Sequence, residues 1–295
     1  MMSKYINPYT DFGFKKLFGG EANKDLLMDF LNQLLPARHQ IAELQFKNPE
    51  QLPALPRERK AVFDIFCESA NGERFIVEMQ KAKLHFFEDR SLFYTTFPIR
   101  EQAKKGGWSF RLMPIYFIAI LDFEYDEGNQ KRRLLREVAL RDQDGELFFD
   151  KLHFRFLQMP LFTKREHELE NRFDKWVYFL KNLPTFDHIP RILDEPIFQK
   201  AFDVAALANL DEEQYAFYEQ NLLDYWTTKA AFDTAREEGW RDGRDKGREE
   251  GREKGREEGA HRKALEIAAS LRESGLASAE IARITGLPMR DVENL

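Results

Sequence analysis

Cysteine is almost absent: Cys67 is the single one in 295 residues. No intrachain disulfide can form, and a reducing compartment is the natural setting. Cys67 falls in an apolar alternating stretch, which predicts a buried, inert thiol rather than a nucleophile. Long apolar runs are also lacking. The best of them, Met113 to Phe123, is too short to span a bilayer and reads as a buried strand. Residues 1–20 lack the apolar segment of a signal peptide, so no membrane partner is expected. Neither sign of charge dominates, since the formal net charge is −6. That balance argues against indiscriminate coating of nucleic acid but says little about one cleft. The six histidines show no metal-ligand spacing. No Ser/His/Asp arrangement and no phosphate-cradling glycine loop is visible either.

What is present is enough apolar material for a sizeable core: 43% hydrophobic and 14% aromatic residues, with an unusual 27 phenylalanines. Thr10 is a good helix N-cap, with Asp11 in the first turn. Phe14, Leu17 and Phe18 follow at helical spacing, and Gly19-Gly20 ends the segment. A second helix, which Asn23 can cap, has Leu26, Leu27, Phe30, Leu31, Leu34 and Leu35 on its apolar face and stops at Pro36. Ile41 to Lys47 alternates like a strand, and Pro49 to Pro56 is a proline-rich loop. Phe86 to Lys105 reads as a long helix. Met113 to Phe123 reads as a central strand buried on both faces. A hairpin turning at Asp142 to Gly145 follows, with Leu152 to Met159 returning. From Arg165 to about Thr234 the pattern is helical. This order predicts an α/β fold: a mixed sheet flanked by helices, plus a C-terminal helical extension. Basic residues cluster at Lys15-Lys16, at Arg57, Arg59 and Lys60, at Lys81 and Lys83, and at Arg100, Lys104, Lys105 and Arg111. Solvated surface is the simpler reading of any one cluster.

The most informative stretch is Lys60 to Lys83, two alternating segments on either side of Asn71-Gly72. Phe63, Ile65 and Cys67 share one face with Phe75, Val77 and Met79. The opposite face carries Val62, Asp64, Phe66, Ile76, Glu78 and Gln80. Register decides whether the polar groups meet, because a one-residue slip turns a strand over. A two-residue Asn71-Gly72 loop would set Asp64 opposite Met79, which contradicts the apolar pattern. A type I turn with Gly72 as a left-handed bulge pairs Ser69 with Glu73 and sets Asp64 opposite Glu78. The bulged hairpin is therefore predicted. Two carboxylates facing each other repel, and a divalent cation such as Mg²⁺ or Mn²⁺ between them removes the problem. Such an ion could polarise a phosphate oxygen and acidify a bound water. Gln80 could orient the attacking water or hold a phosphate oxygen, but as a neutral group it supplies no charge. An ordinary sheet face with scattered polar residues is the alternative, set against the apolar neighbours Val62, Phe66 and Ile76.

Asp64 followed by Glu78-Met79-Gln80 resembles the PD-(D/E)XK nuclease signature, with glutamine where that signature has lysine. The run Thr10-Asp11-Phe12-Gly13-Phe14-Lys15-Lys16-Leu17-Phe18-Gly19 resembles the opening motif of the Rpn family, the recombination-promoting nucleases also labelled transposases. Arg90, Ser91, Leu92 and Tyr94 resemble that family's next block, and Pro114 to Phe123 the strand after it. The resemblance covers roughly Tyr5 to Phe162 well and the tail loosely. It implies a restriction-endonuclease-like core, a Mg²⁺-dependent DNA endonuclease, and a bacterial cytoplasmic protein of recombination or mobile-element biology. It also implies that Asp64 and Glu78 bind metal, with Gln80 in the lysine position. Asp11 and Lys15 could face the same cleft, and Lys15, Arg90, Tyr94 and Gln102 could contact DNA.

Glycine recurs every four residues from Gly239 to Gly259 among charged residues. Each costs a helix about 1 kcal/mol relative to alanine. The stripe fits either a weakly helical spacer or a helix pairing that makes a homo-oligomer. The remainder reads as short helices broken at Gly275 and Gly286, resembling a helix-turn-helix. Its last helix carries Asp291 and Glu293, which oppose phosphate contact. The expected divisions are 1–165 for the core, 166–234 for the helical extension, 235–260 for the glycine spacer and 261–295 for the terminal element. Two alternatives to the endonuclease stand beside it: a catalytically weak DNA-binding or recombination-accessory protein, and an assembly module driven by the tail.

Overall fold

The computed structural model describes residues 3–36, 39–51, 61–103, 109–125 and 131–295. Arg57, Arg59, Lys60, Lys104, Lys105 and most of the proline-rich loop lie outside them. The chain divides into two compact units, Met1–Ala230 and Ala231–Leu295.

In the first unit α1 (Asp11–Phe18) begins as the sequence requires. Thr10 Oγ1 accepts from Gly13 N, and Gly19 closes the helix with its N–H on Lys15 O. Gly13 has no alternative there, because a Cβ would stand 2.1 Å from Asn7 O. The start of α2 (Lys24–Leu34) differs from expectation. A single 3-10 turn, Glu21–Asn23, leads into it, and the Asn23 amide donates to Lys16 O instead of capping the helix.

Among the described residues a six-stranded mixed sheet forms the centre. Its strands are β1 (Leu44–Phe46), β4 (Ile65–Ser69), β5 (Arg74–Gln80), β6 (Ile115–Leu121), β7 (Leu135–Arg141) and β8 (Leu147–Gln158). Their order is β1-β4-β5-β6-β8-β7, with β5, β6 and β8 parallel and the outer pairs antiparallel. β6 is the central strand of the apolar run, and all seven of its residues are buried. A small separate pair joins β2 (Glu50–Gln51) to β3 (Ala61–Val62).

Each sheet face meets its own core. Ile65, Cys67, Phe75, Val77, Tyr116, Ile118 and Ile120 pack under α1, α2, α4 (Arg172–Asn182) and α5 (Pro196–Ala205). The phenylalanine excess is used here. Phe18, Phe30, Trp176, Phe179, Phe198 and Phe202 interlock with ring centroids 4.9–6.0 Å apart, the spacing at which aromatic pairs attract. This core joins residues on both sides of the expected division at 165/166, so the helices that follow the sheet share its interior. Cys67 lies in it fully buried, and burial pushes its thiol well up, as an inert thiol requires. On the other face Phe66, Ile76, Phe117, Ala119, Phe154 and Phe156 pack against α3 (Phe87–Glu101) through Phe87 and Phe97.

Helix α6 (Glu212–Glu273) starts in the first unit, where Tyr218 and Tyr225 are buried. It continues without interruption through all six glycines, crossing the expected divisions at 234/235 and 260/261. Nothing lies within 4 Å of where a Cβ would be at any of the six. In the second unit Ala268 of α6 packs on Ile281 of α7 (Ser278–Thr285) and Val292 of α8 (Met289–Glu293). The breaks fall at Gly275 and Gly286, as expected.

Candidate active site

The hairpin that presents the carboxylates has the predicted register. Ser69 N donates to Glu73 O, Gly72 N donates to Ser69 O, and Gly72 has φ +83°. Cα partners run from Glu68↔Arg74 to Ile65↔Val77, which makes Asp64 and Glu78 the next pair. There the ladder stops, and side chains replace backbone partners. Asp64 N donates to Glu78 Oε1 at 3.1 Å, and Met79 N donates to Asp64 Oδ2 at 2.8 Å. Each acid thus accepts a backbone N–H from the opposite strand, and this reciprocal pair fixes both.

One expectation fails at the same point. Phe63 was expected to share a face with Ile65 and Cys67. It lies instead in the second core, 5.4 Å from Phe66 and 5.2 Å from Tyr94 between ring centroids. Alternation breaks at Phe63-Asp64 because β3 pairs with β2 while β4 joins the main sheet. Nor is the carboxylate face an open one, because α3 covers it.

Glu78 is 1% exposed. Gln80 Nε2 donates to its Oε2 at 3.0 Å, and Arg90 Nη2 from α3 stands 3.7 Å from the same oxygen. The Arg90 guanidinium also lies over the Tyr94 ring, 4.9 Å from its centroid. Burial, followed by the Asp64 charge, pushes Glu78 up to about 8. Burial pushes Asp64 up to about 6, opposed by the Met79 N–H. Asp11 raises Asp64 further while Lys15 and Arg90 lower it, so α1 also addresses the site. Lys15 and Asp11 pair with each other at 2.7 Å.

The structure therefore gathers Asp64, Glu78, Gln80, Arg90 and Tyr94, with Asp11 and Lys15 in electrostatic range. It does not bring Gln102 there. That residue ends α3 opposite Arg90, is buried, and clamps a backbone: its Oε1 accepts from Met113 N at 2.7 Å. A polar residue such as Gln102 carries no local sign of burial. Lys83 turns away too, donating to Tyr125 O. Sequence reasoning passed over Asp122, whose N–H donates to Gln80 O at 2.9 Å and whose carboxylate holds Tyr225 and Lys229 of α6. Its one signal was an acid closing a buried apolar run.

The donor set suits a hard divalent cation. Buried Glu78 and partly buried Asp64 face one another with the Arg90 guanidinium beside them, and the described residues give Asp64 Oδ1 no hydrogen bond. Among the described residues no group of three or more His, Cys, Asp or Glu side chains forms a metal cage. Two carboxylates are nonetheless what Mg²⁺ takes from a protein when waters and substrate phosphate complete its shell.

Comparison with known proteins agrees with the geometry. The family described as PD-(D/E)XK nuclease family transposase matches residues 8–235. The chain belongs to this family. Its fold is that of a PD-(D/E)XK protein, its role is nuclease- or transposase-related, and nucleases of this kind act on DNA and generally use divalent metals. No curated protein and no solved structure matches the chain. Among the described residues no helix is long and apolar enough to cross a membrane.

Proposed function

We propose that this PD-(D/E)XK family member is a Mg²⁺-dependent DNA endonuclease, with Mn²⁺ as an alternative ion, in which Asp64 and Glu78 hold the metal. The observation that carries this reading is the facing carboxylate pair, buried Glu78 and partly buried Asp64, fixed by reciprocal backbone hydrogen bonds. When bound, the ion supplies Lewis-acid polarisation of the phosphate and a more acidic water. The chain's own residues do the rest. Glu78 and Asp64 are held rigid by Asp64 N and Met79 N, so little reorganisation accompanies substrate binding. Gln80 spends its amide N–H on Glu78 and leaves its Oε1 to accept from the attacking water. Arg90 is placed to hold a phosphate oxygen, and Lys15 supplies a second cation from α1. Water adds to phosphorus, the P–O bond to the leaving nucleotide breaks, and the proton lost by the water is balanced by one gained by the departing oxygen.

A lone, buried cysteine suits a reducing cytoplasmic setting, and the family suggests recombination, transposition or mobile-element defence as the biological context. The neutral Gln80 favours a second reading, a slow or inactive DNA-binding accessory protein. Plasmid cleavage with Mg²⁺ and Mn²⁺ separates the two. The wild type is expected to cut, while Asp64→Ala and Glu78→Ala do not cut but still bind DNA. An inert wild type across metals and DNA forms supports the accessory role. The open glycine face of α6 also supports homo-oligomer formation through the tail.

A further inference from the structure

Beside the carboxylates, the first turns of α3 and the segment before it enclose a cavity of about 500 Å³ lined by Leu84, His85, Phe86, Asp89, Arg90, Phe93 and Tyr94. Its walls are aromatic and unusually bare. Phe86 is 64% exposed and Phe93 44%. The Phe86 ring meets the His85 ring edge to face at 4.5 Å. The opposite wall belongs to the candidate active site, because Arg90 stands 3.7 Å from Glu78 Oε2 and its guanidinium lies over Tyr94.

From this arrangement we infer that the cavity receives an unstacked nucleobase of the DNA strand whose phosphate lies at Asp64 and Glu78. Exposed aromatic rings flanking a cation fit a base, which offers a π-face to Phe86 or Phe93 while its phosphodiester meets Arg90. A nucleotide brings a phosphodiester to the Arg90 guanidinium in the wall, which an oily peptide or lipid does not. A base inside a duplex is already stacked on its neighbours and cannot enter, so the favoured substrate has unpaired or extruded nucleotides: single strands, bubbles or flaps. This inference rests on the nuclease reading for the position of the phosphate. It adds the substrate's strand form, which the family does not specify.

The test uses the full chain carrying Asp64→Ala, so that nothing is cut, and reads fluorescence anisotropy of a labelled oligothymidylate and of a fully paired duplex in EDTA. Stacking of one base on an aromatic ring is worth about 1–3 kcal/mol, or about 5–150-fold. Adding Phe86→Ala and Phe93→Ala is expected to weaken single-strand binding by that factor and to lower the ratio of single-strand to duplex affinity. Phe86→Trp is expected to keep the affinity, since it keeps the π surface. Single-strand affinity unchanged by the alanines overturns the inference, and so does an equal loss on both DNA forms. Cleavage by the wild type in Mg²⁺ is measured separately. If it cuts nothing, the hydrolase reading falls while the binding titration still decides the pocket.

Discussion

Replacing Glu78 by glutamine should make the metal-free protein more stable at alkaline pH, against the usual rule that a buried polar substitution destabilises. Glu78 ordinarily titrates near 4.5 but is raised to about 8 in the fold, first by burial and then by Asp64. Between those values the folded state holds more protons than the unfolded chain, so stability falls as pH rises across the window. Asp64, raised from 3.8 to about 6, adds to the fall over its lower part. At about 1.4 kcal/mol per pH unit, and with the two acids sharing one repulsion, ionising Glu78 costs the fold roughly 2–5 kcal/mol at pH 8. Glutamine removes the charge and keeps the shape. Its Oε1 can still accept from Asp64 N, and the Gln80 amide can turn over to accept from the new NH₂ group. The loss is the Arg90 contact, which at 3.7 Å on a partly exposed guanidinium is weak. For a unit of this size each kcal/mol moves the melting temperature by about 2–4 °C. Thermal unfolding in EDTA should therefore show Glu78→Gln several degrees above wild type at pH 8 and level with it at pH 5. Saturating Mg²⁺ should close the gap at pH 8 by stabilising only the wild type. A variant that melts below wild type at pH 8 without metal would refute the reasoning, because the carboxylate would then be satisfied by the protein alone.

Gly13→Ala drives a Cβ to 2.1 Å from Asn7 O; it should cost roughly 1–3 kcal/mol in urea unfolding, and an unchanged midpoint would mean that α1 shifts freely. Asp29→Ala removes the acceptor of the buried Trp176 N–H (2.6 Å) and of the Arg172 fork; the stranded indole N–H alone predicts a loss of roughly 1–3 kcal/mol, checked by the same unfolding titration. Light scattering on the full chain and on one ending at Thr234 tests pairing of the glycine helix: the full chain should have the mass of an oligomer and the shortened one that of a monomer, and equal states would exclude the tail as the contact.

Much of the centre could be read from periodicity, because period-2 alternation and turn chemistry act locally. The Gly72 bulge is one case: a single left-handed residue set the register of β4 on β5 and so placed Asp64 opposite Glu78. The all-apolar run of β6 likewise announced a strand covered on both sides. Misreadings arose where a distant segment intervened. Phe63 left its expected face because β3 pairs with β2. Asn23 gave its amide to Lys16 O across a turn. Gln102 went inward to bond the Met113 backbone. None of these long-range partners has a local signature.

Charge at the candidate site follows the same logic. Read along β5 alone, the glutamine at position 80 removes the cation that the nuclease signature places beside its carboxylates. The fold supplies positive charge from elsewhere: Arg90 from α3 stands 3.7 Å from Glu78, and Lys15 from α1 bears on Asp64. Neither offsets the effect of burial, which keeps both acids raised. A lysine at position 80 would sit where Gln80 now donates to Glu78 Oε2, and would pull Glu78 down toward its ordinary value. On the proposed nuclease reading, glutamine leaves that negative potential in place for a divalent ion, and Arg90 and Lys15 are the cations that would meet the phosphate. With glutamine on the strand, the positive charge near the pair comes from the two helices.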